Sequence, residues 1–358
     1  MNRRFAASLL CLTLGATLAC ADPEAGDSST ADAATTERDA GQRDAGAPPL
    51  LLPEEDAATP DAEVVIPETP GSSIVWLHTG TTLYKGDLAK SPFTFEKVGD
   101  FTCDDYKATT GAANFSMTDL AVDQDEKLYG VTSKAVLPLE IDGAAVRCTA
   151  IWTLPEGTAS FMGLTFAPKG TLDAAKEVLV GADNTGKLWR IDAATGGAVT
   201  QIGSFGKVPA TDGQGHSYGD YAGDDFRLSG DIAFMANSGS PVGFATVREC
   251  KDFKKCGVDT LVEIDLSKLA DGNGGSVVKS IRGKVVKSAD CGDTASEGYG
   301  SMYGIAAWDA QVYGFSYAGE IVEISNVDGT ACLIAKDAGL KFAGAGITTS
   351  AKVVIEFN

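Results

Sequence analysis

Histidine is almost missing from this sequence: 358 residues hold His78 and His216 and no other. Imidazole-rich metal sites and hydrolytic triads that turn on a histidine base therefore have little to draw on. No Cys-x-x-Cys pair, His-Glu-x-x-His helix, Gly-x-Ser-x-Gly elbow, phosphate-binding loop or dinucleotide fingerprint occurs. Basic residues are outnumbered, 29 against 49 acidic ones, for a formal net charge of −20. Phosphate binding needs a basic surface, so nucleic acid is excluded as a partner. The same charge excludes docking on anionic lipid through the folded part.

A long apolar run is missing too. The longest, Phe5 to Leu18, follows Asn2-Arg3-Arg4 and falls short of the ~18–20 residues that span a bilayer. It reads as the apolar region of a signal peptide. Two cleavage readings compete. Thr17-Leu18-Ala19-Cys20 resembles a bacterial lipobox, giving a leader of 1–19 and a lipid on Cys20. Leu18 stands one place late for that box. Ala19-Cys20-Ala21 alternatively offers a small-x-small site, a leader of 1–21 and simple secretion.

Residues 22–70 lack aromatic side chains altogether and carry thirteen acids against two arginines. Such a segment cannot bury enough apolar surface to offset a backbone entropy of about 1–2 kcal/mol per residue. Residues 20–70 are expected to be a disordered acidic linker, long enough to hold a domain clear of a membrane. Export agrees with the cysteines. Setting aside Cys11 and Cys20 leaves Cys103, Cys148, Cys250, Cys256, Cys291 and Cys332, an even number that reads as disulfides. Cys250 and Cys256 bracket a short charged loop. Cys103 with Cys148 and Cys291 with Cys332 are the simplest use of the rest among fifteen possible pairings.

What is present in 71–358 is turn chemistry and short alternating strands. No helical stripe of any length interrupts them. A segment recurs that starts small or polar and turns apolar: Met117–Val122, Phe161–Phe166, Ser229–Phe234, Met302–Ala307 and Gly344–Thr349. Its aligned positions Leu120, Leu164, Ile232, Ile305 and Ile347 are 44, 68, 73 and 42 residues apart. The short spacings fit one four-stranded propeller blade, and the long ones imply insertions near 207–228 and 247–300. A third strand of the form Leu-x-x-Ile-Asp recurs at Lys187–Asp192 and Thr260–Asp265, with a variant at Glu320–Ser325. A sheet with two apolar faces cannot stand alone. Packing sheets side by side around a ring buries both faces. The fold class expected is an all-β propeller of five four-stranded blades, six being the alternative. Strands from both termini, 342–358 and 73–98, would complete one blade.

The pattern from Leu188 to Gly203, Leu-x-x-Ile-Asp followed by Thr-Gly and Ile-Gly, resembles the blades of bacterial secreted propellers of the quinoprotein-like and related repeat families. That resemblance implies a fold and no single activity, since such families include dehydrogenases, lactonases and assembly scaffolds. The stacking Trp and calcium site of the quinone enzymes have no counterpart here.

Candidate chemistry is sparse. Opening strands of a propeller line its channel, which nominates Asp119, Asp231, Tyr299 and Tyr303 as ligand-binding residues at the channel mouth, against the plainer reading that they cap strand ends. His216 joins them from the Gly- and Asp-rich insertion Asp212–Asp220. Asp220, Asp224 and Asp225 are candidate metal ligands, calcium being the ion whose oxygen preference they suit, and no other cofactor is expected. His78 falls in a strand, where packing explains it. The expected function is that of a binding or scaffolding module at the cell envelope. It would face a protein or carbohydrate partner and be held to a membrane, facing the periplasm or cell surface, by the lipid at Cys20. The alternative is a hydrolase or lyase working at the channel mouth.

Overall fold

The computed structural model describes residues 72–235, 241–251, 255–292, 297–299, 301–337 and 339–350. The leader, Cys20 and the acidic linker lie outside the described residues.

Within that part the chain is all-β, with the strands gathered into four-stranded antiparallel sheets of the predicted blade form. Sheet I takes β1 (Ile74–His78), β2 (Thr82–Asp87) and β3 (Phe95–Thr102), and a five-residue helix, α1 (Tyr106–Thr110), leads out of it. Sheet II is β4 (Met117–Val122), β5 (Leu128–Thr132), β6 (Ala135–Asp142) and β7 (Ala145–Cys148), with the short β8 (Trp152–Thr153) beside β6. Sheet III is β9 (Phe161–Ala167), β10 (Val178–Asp183), β11 (Lys187–Asp192) and β12 (Ala198–Ser204). Sheet IV is β13 (Phe226–Met235), β14 (Val242–Lys251), β16 (Thr260–Ile264) and β17 (Val278–Lys284). The two-residue β15 (Lys255–Cys256) folds back on β14, and α2 (Leu266–Asp271) links β16 to β17. Sheet V is β18 (Met302–Trp308), β19 (Gln311–Ser316), β20 (Glu320–Ile324) and β21 (Ala331–Lys336). The last strand, β22 (Gly344–Ile347), returns to sheet I and pairs antiparallel with β1, from Val75 opposite Ile347 to His78 opposite Gly344.

The apolar alternation of these strands has a destination on both faces. Five clusters of buried side chains fill the spaces between sheets. Leu83, Leu120 and Leu137 lie between sheets I and II; Val131, Phe161 and Leu179 between II and III. Val180, Phe226, Ile232 and Val262 fill III to IV, Leu261, Ile305 and Val322 fill IV to V, and Val75, Phe315 and Phe342 fill V to I. Each such side chain contributes about 1.5–3 kcal/mol on leaving water. The opening strands β4, β9, β13, β18 and β22 also lie against one another in that order, with β22 against β4 and a smaller contact between β13 and β22.

One relationship was not legible beforehand. The outer strand of sheet I, β3, pairs in parallel with the outer strand of sheet II, β7, from Asp100 opposite Ala145 to Thr102 opposite Arg147. Two sheet edges that would otherwise be open cover each other, and the Cys103–Cys148 disulfide pins them at the end of that pairing. The other disulfides join Cys250 to Cys256 and Cys291 to Cys332. These three bonds fit an oxidising compartment, extracellular or periplasmic. No helix among the described residues is long and apolar enough to cross a membrane.

A glycine pattern explains how the opening strands pack. A Cβ on Gly130, Gly181 or Gly314 would strike the side chain of Met117, Phe161 or Met302 at 2.4–2.7 Å. In sheets II, III and V, then, the large first residue of the opening strand lies over a glycine of the second strand. Sheet I reverses the arrangement, with Gly344 at that first position.

Candidate functional site

In four sheets the second strand ends on a polar residue that is fully buried, His78, Thr132, Asp183 and Ser316, and in sheet IV the fully buried Thr246 lies within β14. In sheets I, II, III and V these residues stand opposite the first residue of the opening strand: Gly344, Met117, Phe161 and Met302. Local chemistry accounts for most of them, because a tight turn leaves backbone N–H groups that need acceptors. Thr132 Oγ1 accepts from the N–H groups of Lys134 and Ala135, at 3.1 and 3.0 Å. Asp183 Oδ1 accepts from Thr185 and Lys187, and Ser316 Oγ from Ala318 and Glu320. His78 is the exception. The turn after it is capped by Thr79 Oγ1, and its own Nδ1 donates to the Thr79 carbonyl at 2.8 Å.

A second set of aligned positions lies two residues into the recurring opening segments, where the five strands carry Asp119, Gly163, Asp231, Gly304 and Gly346. Both aspartates are fully buried. Asp119 Oδ2 accepts the N–H of Leu164, in β9, at 2.5 Å. Asp231 Oδ2 accepts the N–H of Ile305, in β18, at 3.2 Å, and its Oδ1 that of Ile232 at 2.6 Å. Each carboxylate thus reaches across to the next opening strand, one residue past that strand's glycine. The two carboxyls also lie within hydrogen-bonding reach of one another. On the other side of Asp119, its Oδ1 stands 3.9 Å from His78 Nε2.

Burial sets the protonation of this cluster. Burial, then repulsion from Asp231, pushes the Asp119 carboxyl well above the usual carboxylate range; burial raises Asp231 as well. Two adjoining buried carboxylates do not both ionise, so the pair keeps one proton between them. Burial lowers His78 to about 4 against the pull of the Thr79 carbonyl, so its ring is neutral at physiological pH. What the cluster can do is hold a proton and tie strands together. Offering a carboxylate to solvent is closed to it, since neither aspartate is exposed.

Of the residues nominated from sequence, the fold therefore brings together Asp119 and Asp231. His216 lies on the insertion with its side chain 71% exposed, and its Nδ1 is 2.9 Å from Asp212 Oδ2. Tyr303 packs edge-on against Tyr317, ring centroids 5.4 Å apart, and the Tyr299 hydroxyl donates to the Ala331 carbonyl at 3.2 Å. Asp220 is exposed on a short 3-10 turn. Asp225 pairs with Lys207 at 2.8 Å, and with Asp224, Arg227 and Lys251 the two border an open cleft of about 370 Å³. Among the described residues no group of three His, Cys, Asp or Glu side chains is gathered as a metal ion would need. His78 was missed as a partner of Asp119. The available signal was a histidine closing the second strand where Thr, Asp or Ser closes it elsewhere.

Together these features define an all-β, disulfide-bonded protein of four-stranded sheets with a buried carboxyl pair where the opening strands converge. No protein-family model and no curated protein matches the sequence. Solved structures similar in part include a protein of unknown function from Bacteroides caccae, 10% identical, covering 77% of this chain and 98% of that one at a TM-score of 0.39. An alpha-L-arabinanase of Cellvibrio cellulosa, complexed with arabinohexaose, is 11% identical over 74% of this chain and 96% of its own, with a TM-score of 0.39. The glutaminyl cyclase of Myxococcus xanthus is 14% identical over 70% and 80%, with a TM-score of 0.34. Likenesses this loose carry no argument, and the reading below rests on strand order and site geometry.

Proposed function

We propose that the chain is an exported, five-bladed β-propeller, latched by β22 on β1 and tethered to a membrane through lipid on Cys20, that serves as a binding or scaffolding module at the cell envelope. The acidic linker sets the distance between anchor and ring, and the loops at the ring's rims make the contacts with a protein or carbohydrate partner. The observation that carries the non-enzymatic reading is the use made of Asp119 and Asp231. Both are buried, and one oxygen of each accepts a backbone N–H of the neighbouring opening strand. A hydrolase or lyase working through these carboxylates needs them open to substrate.

The test uses the full chain in its own cells. A photo-crosslinking side chain placed at exposed Gln214 or Tyr317 is expected to give a discrete adduct, and labelled fatty acid to appear on the protein and vanish in Cys20→Ser. Turnover of a panel of glycosides or esters by the purified protein, abolished by Asp231→Asn in a variant that still folds, would establish the enzymatic alternative instead. Metal analysis of the same sample checks calcium.

A further inference from the structure

His78 Nε2 and Asp119 Oδ1 face each other 3.9 Å apart, both fully buried, and neither has a hydrogen-bond partner among the described residues. Buried polar atoms are rarely left in that condition, and each one costs about 1–3 kcal/mol if it is. The two atoms cannot satisfy one another. His78 Nδ1 points at the Thr79 carbonyl, which can only accept, so the ring proton sits on Nδ1 and Nε2 presents a lone pair. On Asp119, Oδ2 takes the Leu164 N–H, and Oδ1 has no partner among the described residues. At 3.9 Å the two orphaned atoms are too far apart to bond directly.

The wall of this gap is Gly344, the residue that reverses the packing pattern of the other sheets. A Cβ there would stand 2.2 Å from Asp119 Oδ1 and 2.3 Å from His78 Nε2. Any larger residue there would strike both orphaned atoms.

We infer that the gap between His78 Nε2, Asp119 Oδ1 and Gly344 is a binding site for one internal water molecule, which bridges the two atoms by a hydrogen bond to each. The geometry suits it: a water about 2.8 Å from atoms 3.9 Å apart subtends roughly 90° between them, close to its own bond angle. With the water in place, hydrogen bonds run from Ile305 in β18 through Asp231 in β13, Asp119 in β4 and the water to His78 in β1, while Leu164 brings in β9. All five sheets then meet in one polar network.

A crystal structure of the processed chain at neutral pH and high resolution tests this. The expected result is one isolated density peak within hydrogen-bonding distance of both atoms, lost in His78→Leu. His78 is also expected to give the nitrogen NMR signature of a neutral ring protonated on Nδ1. Three results overturn the inference. One is a gap with no peak and Nε2 in direct contact with Oδ1. Another is a peak at about 2.1 Å from both, with anomalous scattering, which marks a metal ion. The third is a ring protonated on Nε2. Should His78→Leu fail to fold, the density between the two atoms in the unsubstituted protein still decides among these outcomes.

Discussion

Asp119 and Asp231 hold each other across the space between β4 and β13, two opening strands that have β9 between them, and share one proton out of reach of solvent. Each also fastens a neighbouring strand through a backbone N–H. Replacing Asp231 with alanine leaves the N–H groups of Ile232 and Ile305 without their acceptor and takes away the partner of Asp119. Each group so stranded is expected to cost about 1–3 kcal/mol. The urea midpoint should fall well below that of the unsubstituted protein, and an unchanged midpoint would remove the pair from the stability of the fold.

The pair also sets a pH dependence. Burial raises both carboxyls, Asp231 to about 8, so the native state binds more protons than the unfolded one above the ordinary Asp range. Their contribution is fully present below the unfolded value and is lost as pH rises through the folded one. Unfolding midpoints are expected to drop between about pH 4 and pH 8, and Asp119→Asn should flatten that slope. A rise in stability over the same range would contradict the shared proton.

Glu177 gives a second, weaker slope at lower pH. Its carboxylate is half-buried, accepts the Gln124 N–H at 2.8 Å and takes a hydrogen bond from the Thr349 hydroxyl, fastening the end of the chain. Burial first, opposed by the Gln124 N–H and helped by repulsion from Asp123 and Asp125, raises it to about 7. Again the native state holds the proton longer, so this contribution is lost as pH rises through 7. Glu177→Gln should leave stability at about pH 5 nearly unchanged and raise it relative to the unsubstituted protein at about pH 8.

The Cys103–Cys148 bond closes a loop of 45 residues and pins the β3–β7 edge pairing. Replacing both cysteines with serine is expected to cost about 2–4 kcal/mol, chiefly by freeing the unfolded chain. Comparing this variant with the oxidised and reduced parent by thermal unfolding measures it. A reduced parent as stable as the oxidised one would mean the bond is incidental.

Much of the architecture was legible because its cause is local. The opening segments at Met117, Phe161, Ser229, Met302 and Gly344 each became an opening strand, and Leu-x-x-Ile-Asp became a third strand at Lys187 and Thr260. Period-two alternation and turn residues specify strands wherever they occur. The site was half legible. Asp119 and Asp231 stood out as charged residues at matching places in apolar strands, but a mouth open to ligand was expected and a sealed pair is found. Exposure depends on what neighbouring strands place around a side chain, and no spacing in the chain reports that. His216 drew attention by being one of two histidines, and it lies on the surface against Asp212.

The amino-acid sequence on its own determined the strands, their repeat and an even set of cysteines, since each follows from near neighbours along the chain or from composition. Only the tertiary structure decided that β3 runs parallel to β7, and that His78 meets Asp119 beside Gly344 while Asp119 meets Asp231. Those contacts join residues from 41 to more than 200 positions apart. They exist because sheets packed side by side bring their opening strands to one place, where burial away from bulk solvent turns ordinary carboxyls into proton holders.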